Sequence, residues 1–191
     1  MKFRAFLAAL CLTGATAVPT VAAPTYEDRD NIQEHIELLN TLDDMGVNVQ
    51  INNPHICSHE RGVAGFWMGS ERLFVLCQEE VRNAKLPVYT GNIVLASDDD
   101  LDTIRHEAHH VIQDCMNGRL DGDLVTYLDE ESSEEFLEFY PDWKEEHIAT
   151  QYREDGASEH VVQLEIEAWA VADLVSAPMI QDVLVRECAG L

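Results

Sequence analysis

The sequence predicts an α+β fold in which a small antiparallel sheet or hairpin packs on one motif-bearing helix, with further helices toward the C terminus. Three observations point there. Apolar residues recur at helical spacing near both ends of the chain, alternation and turn residues fill the segment between them, and residues 97–102 carry a dense helix-start signal.

In chain order, Asp30 to Leu42 places Ile32, Ile36, Leu39 and Leu42 on one helical face. Val47 to Ile51 alternates like a half-buried strand. Val63 to Met68 and Arg72 to Cys77 flank Gly69-Ser70-Glu71, which reads as a hairpin, and Asn92 to Ala96 suits another strand. Ser97 with the acids up to Asp102 starts a helix that Gly118 closes. The segment from Arg119 to Gly156 is strongly acidic, with short helical patterns after Ser132 and after Pro141. Ser158 caps a longer helix reaching Val175, and Pro178 sits in the first turn of a last helix ending near Cys188.

The first 23 residues have the layout of a secretory signal peptide. Lys2 and Arg4 precede a charge-free apolar stretch from Ala5 to Val21, with small residues at Ala15, Ala17, Ala22 and Ala23. Thr13, Gly14, Thr16, Pro19 and Thr20 make it a poor bilayer span. Cleavage after Ala17, Ala22 or Ala23 fits, and the large Leu10 before Cys11 argues against lipid attachment. The expectation is a signal peptide over residues 1–23 and a single domain over 24–191, secreted or periplasmic, with no membrane association once the signal is gone. A formal charge of −24 excludes nucleic acid and anionic membrane surfaces as natural partners. It suits solubility in salty surroundings or, less simply, cationic substrates.

Beyond the signal stand Cys57, Cys77, Cys115 and Cys188. No two are two to four residues apart, so they do not read as a zinc site. An even number in an exported chain suggests two disulfides, for which three pairings exist. Cys57 and Cys77 bracket the hairpin, whereas Cys115 and Cys188 end the motif helix and the last helix. That placement predicts Cys57–Cys77 and Cys115–Cys188.

The chemistry lies between Leu101 and Asn117. Ile104, Ala108, Val111 and Cys115 form a narrow apolar stripe, the core face. His106 and His110 lie on the other side, one turn apart, where two ring nitrogens can bind one tetrahedral Zn²⁺. Glu107 leans over the same cleft and can take a proton from water, as in the H-E-x-x-H motif. His109, between the two faces, reads as a packing residue or a support for a ligand rather than a ligand itself.

This helix, preceded by strands and followed by a helix bearing a glutamate, resembles the zincin metallopeptidases. Gln113 and Met116 stand where the metzincin branch has a glycine and a third histidine, so that branch is excluded. The gluzincin-like branch completes its site with a later glutamate, commonly followed by alanine, and Glu167-Ala168 matches that form. The resemblance implies a zincin-like fold and a zinc-dependent peptidase. His106, His110 and Glu167 would be the metal ligands, Glu107 the catalytic base, and a peptide or protein the substrate. His160, Tyr152 or Tyr127 would help the oxyanion, and a hairpin edge would align the substrate.

Glu167 also invites a partner on physical grounds. Leu164, Ala168, Val171 and Val175 repeat the four-three-four spacing, and Ile166, Trp169 and Ala170 make the helix apolar on its other side. A carboxylate buried there is costly unless paired. Zinc would be such a partner, and so would Arg105 or Arg186. Glu165 points nearly the other way and is the weaker candidate. His55 and His59 read as loop residues around a structural cysteine, and Trp67, Trp143 and Trp169 as core anchors. Two rival functions remain: a non-catalytic, secreted zinc-binding or partner-capturing protein, and a hydrolase of non-peptide amides. Glu107 favours an enzyme, because a purely structural site has no use for a base.

Overall fold

The computed structural model describes residues 26–57, 64–78 and 97–190. The signal segment, His59 and the strand expected at Asn92–Ala96 lie outside them. The chain opens with α1 (Tyr26–Asp44), followed by β1 (Asn48–Ile51), one helical turn α2 (Pro54–Cys57), β2 (Gly65–Met68), a 3₁₀ turn (Gly69–Glu71) and β3 (Leu73–Leu76). Then come α3 (Asp98–Cys115), α4 (Glu130–Leu137), α5 (Asp142–Glu154), α6 (Glu159–Leu174) and α7 (Ala177–Val183), which runs into a π-helical turn at Leu184–Cys188.

The described strands form one sheet of order β1-β3-β2. The hairpin is present, with β2 antiparallel to β3, but β1 runs parallel to β3, so the sheet is mixed rather than antiparallel. The reason is the position of β3. Its run Leu73-Phe74-Val75-Leu76 is buried along its whole length and takes the centre, as a continuous apolar strand does. The strands on either side come from before it in sequence. Around His55, too, the chain is a helical turn rather than plain loop. The Asn53 side chain accepts from His55 N at 2.9 Å, and Pro54 occupies the first helical position, where no N–H is needed.

The motif helix α3 is held at both ends. Ser97 and Asp100 form a reciprocal capping box, and Asp100 also accepts from the Gln78 amide just after β3, at 3.0 Å. At the other end, Gly118 takes φ +85°, a left-handed turn that stops the helix. The stripe Ile104, Ala108, Val111 and Cys115 is fully buried in the main core, with Leu38, Leu42, Phe74 and Leu184. A second core of Tyr140, Ile148, Val162, Ile166 and Ala170 joins α5 to α6. α6 packs along α3 and so has one face on each core.

Both disulfides pair as the placement of the cysteines predicts, Cys57 with Cys77 and Cys115 with Cys188. Trp67 and Trp169 are partly buried against the two cores, but Trp143 is 65% exposed and anchors nothing. Among the described residues, no helix is long and apolar enough to cross a membrane.

Candidate metal centre

One helical turn places His106 and His110 side by side on α3, and their Nε2 atoms stand 3.0 Å apart. Their rings meet edge to face, with centroids 4.5 Å apart. Glu107 brings an oxygen 4.0 Å from His106 Nε2. His106, Glu107 and His110 are all buried, and their ligand atoms lie within 4.8 Å of one another, a group that can hold a metal ion.

The glutamate facing this pair is Glu165. Its Oε2 lies 3.3 Å from His106 Nε2 and its Oε1 lies 3.5 Å from His110 Nε2. Glu167 is engaged elsewhere. Its Oε1 accepts from His109 Nε2 at 2.7 Å, Gln113 Nε2 at 3.0 Å and Tyr127 N at 2.9 Å, while Oε2 accepts from Leu128 N at 3.1 Å. The expectation is that Glu167 completes the histidine pair; here its carboxylate lies on His109, Gln113 and two backbone N–H groups, and Glu165 lies at the pair. Two residues along a helix is a rotation of about 200°. When α6 lies on α3, its two glutamates reach different sides of that helix, Glu167 the His109 side and Glu165 the side of the pair. Neither Arg105 nor Arg186 takes Glu167: Arg105 binds Asp102, His35 and Ala172 O, and Arg186 binds Glu187 and Tyr127. His109 is buried and pairs with Glu167, in keeping with a residue that packs or supports rather than one that faces the pair.

A signal for Glu165 was present in the sequence. Trp169, one turn later on the same face of α6, lies against the His106 ring with centroids 4.2 Å apart. An acid and an aromatic at four-residue spacing mark the face of α6 that meets the pair.

Hydrogen bonding also fixes which nitrogen of His110 looks into the centre. Gln113 Nε2 faces two acceptors, Leu164 O and Glu167 Oε1, each at 3.0 Å. Its Oε1 is therefore the atom 2.6 Å from His110 Nδ1, and that nitrogen carries a hydrogen. Nε2 is left to face His106 and Glu165. His106 Nδ1 and Glu165 Oε2 are buried without a hydrogen-bond partner.

The electrostatics are those of a crowded, dry site. Burial pulls the His106 imidazole down to about 4 against the pull of Glu165. Burial disfavours charge on His110 as well, but hydrogen bonding to Glu165 and the Glu107 charge outweigh it and raise that imidazole to about 9. Burial pushes Glu107 up to about 7, although His110 and the Trp67 backbone N–H oppose the shift. Burial acts the same way on Glu165, but its bonds to the two histidines hold it well below the usual carboxylate range. Glu167 is also held low in spite of burial, chiefly by His109.

Of the three residues expected to assist an oxyanion, only Tyr152 reaches the centre, turning its hydroxyl to Glu165 and to the Trp169 indole. His160 Nε2 lies 3.0 Å from Leu124 O, and the Tyr127 hydroxyl accepts from Arg186.

These observations define an α+β protein with a buried histidine and glutamate group able to hold a metal. The family model described as a domain of unknown function, DUF8637, matches residues 31–189, and the chain belongs to that family. No curated protein and no solved structure matches the chain.

Proposed function

We propose that the chain is an exported, zinc-dependent peptidase with a zincin-like centre, in which His106, His110 and Glu165 hold the metal and Glu107 is the general base. The observation that carries this reading is the convergence of the two Nε2 atoms and the Glu165 carboxylate, at separations of 3.0, 3.3 and 3.5 Å. A tetrahedral zinc with bonds of 2.0–2.1 Å has ligand-to-ligand edges of roughly 3.3 Å, close to the separation of the two Nε2 atoms and of each from the nearer Glu165 oxygen, Oε2 for His106 and Oε1 for His110. Glu165 Oε2 is buried and faces His106 Nε2 at 3.3 Å without a well-formed hydrogen bond, and a cation between the two would satisfy both. The nitrogen and oxygen donor set is one that zinc accepts.

Zinc, when bound, supplies a Lewis acid that polarises a carbonyl and acidifies water. Glu107, beside the pair and bonded to the Trp67 backbone N–H, would take the proton from an attacking water and return it to the leaving amine. The Tyr152 hydroxyl steadies the Glu165 carboxylate. Gln113 keeps His110 turned with Nε2 inward. Two disulfides support an exported location, because such bonds persist in oxidising compartments.

One observation favours a second reading, a structural zinc without catalysis: His106, Glu107 and His110 are all buried, and closed sites are the structural kind. Glu107→Gln separates the two. On the peptidase reading it retains one zinc per chain while cleavage of a mixed peptide library falls by about 10²–10⁴-fold. Wild-type protein that binds zinc but leaves the library intact would support the structural reading.

A further inference from the structure

Beside the centre, on the outer side of Trp169, lies a surface cleft of about 350 Å³ between α5, α6 and the start of α3. Tyr140, Trp143, Ile148, Tyr152 and Trp169 give it its apolar lining. Two of these residues belong to both places. Trp169 lies against the His106 ring while lining the cleft, and Tyr152 lines it while turning its hydroxyl inward to Glu165. Their polar groups are spent on each other and on the centre, which leaves their carbon surfaces to the cleft.

The charges in the cleft are already matched within the chain. Lys144 Nζ lies 2.5 Å from Asp173 Oδ2 and sits 5.9 Å from the ring centres of both Tyr140 and Trp143. Asp102 pairs with Arg105. An entering charged group would compete with these pairs, whereas an uncharged ring meets a lining that is mostly aromatic and aliphatic, with His147 and Gln151 as its uncharged polar members. Trp143 is 65% exposed at the mouth, and an exposed large aromatic next to an apolar hollow is the usual mark of a binding surface.

We propose that this cleft seats an aromatic side chain of the peptide substrate beside the metal centre. The substrate part rests on the peptidase reading, while aromatic binding does not. Ring against ring, with centroids offset, is the contact such a lining favours.

The experiment uses the full chain carrying Glu107→Gln, so that nothing is turned over. N-acetyl-L-phenylalaninamide, N-acetyl-L-lysinamide and N-acetyl-L-alaninamide are titrated in while the indole N–H signals of Trp143 and Trp169 are followed by NMR. The phenylalanine amide should move both signals, and the other two should bind at least about fivefold more weakly, in line with one aromatic contact. Trp143→Ala should weaken the phenylalanine amide by a similar factor. No movement of either indole, equal or tighter binding of the lysine amide, or an unchanged affinity in Trp143→Ala would overturn the proposal. Aromatic binding in a wild-type protein that cleaves no peptide keeps the cleft and removes the peptidase reading. Cleavage with no preference for aromatic residues does the reverse.

Discussion

Gln113 and Glu167 are joined by a 3.0 Å hydrogen bond from the amide nitrogen to Oε1, and through it α6 orients a histidine that Glu167 does not touch. The amide is held by Leu164 O and Glu167, so its oxygen must face His110 Nδ1. Glu167 is held in turn by His109 and by the backbone N–H groups of Tyr127 and Leu128. Glu167 thus supports the candidate centre through Gln113 rather than by facing the histidine pair.

Gln113→Met keeps the bulk of the side chain and removes the acceptor for His110. We expect zinc affinity, measured against a chelator of known strength, to fall about 10–100-fold, the usual cost of losing the group that orients a ligating histidine. Folding should survive, since Glu167 keeps three of its four donors. Unchanged affinity would mean that His110 is held by packing alone.

Glu165 and Glu167 should separate cleanly. Glu165→Ala removes a proposed ligand and should lose zinc at chelator concentrations the wild type withstands, and because its carboxylate also bonds His106 and His110 the apo-protein should lose some stability too. Glu167→Ala leaves His109, Gln113, Tyr127 N and Leu128 N without their acceptor, and should destabilise the fold by about 3–5 kcal/mol in a denaturant titration. If Glu167→Ala folds normally and only its zinc is lost, the assignment of the two glutamates must be exchanged.

Much of this architecture was legible because it rests on local signals. The Ser97 cap, the apolar stripe of α3 and the turn at Gly69–Glu71 each act within a few residues, and each appears where the pattern places it. The pairing of His106 with His110 follows from helix geometry alone. What could not be read was set by tertiary contact. Which of two glutamates faces α3 depends on how α6 rotates as it packs, and the apolar neighbours of Glu167 indicated burial without direction. The parallel pairing of β1 depends on β3 taking the centre of the sheet. Trp143 reads as core by residue type, yet on α5 it stands largely exposed at the cleft that Ile148 lines from within the second core.

The Cys115–Cys188 bond ties the end of α3 to the end of the chain across a sequence separation of 73. Replacing both cysteines by serine should cost about 4 kcal/mol, the loop-closure estimate for a ring of this length. Because Cys115 is buried in the main core beside Val111 and Leu184, two buried hydroxyls will add to that loss. Thermal unfolding of the double variant under non-reducing conditions measures it. A melting temperature equal to that of wild type would show that packing at this end of α3 suffices without the bond.

Gly65 sits where β2 comes closest to α3. A Cβ at this position would lie 2.7 Å from Thr103 Cγ2, 2.8 Å from Val75 O and 3.3 Å from Glu107 Cγ. The first two are closer than carbon atoms tolerate, and the carbonyl belongs to the neighbouring strand, which cannot turn aside. Gly65→Ala should therefore push β2 outward and destabilise the fold by about 1–3 kcal/mol, as overpacking does. The displacement also carries Trp67 N–H away from Glu107, so catalysis should fall more than stability explains. Thr103→Ser removes Cγ2 while keeping the hydroxyl that donates to Asp99 O, and relieves one of the two clashes. The double variant Gly65→Ala with Thr103→Ser should recover part of the lost stability, and stability equal to that of Gly65→Ala alone would show that the Val75 carbonyl sets the limit. Gly65→Ala with wild-type stability and wild-type activity would mean that the contact between β2 and α3 is looser than these distances allow.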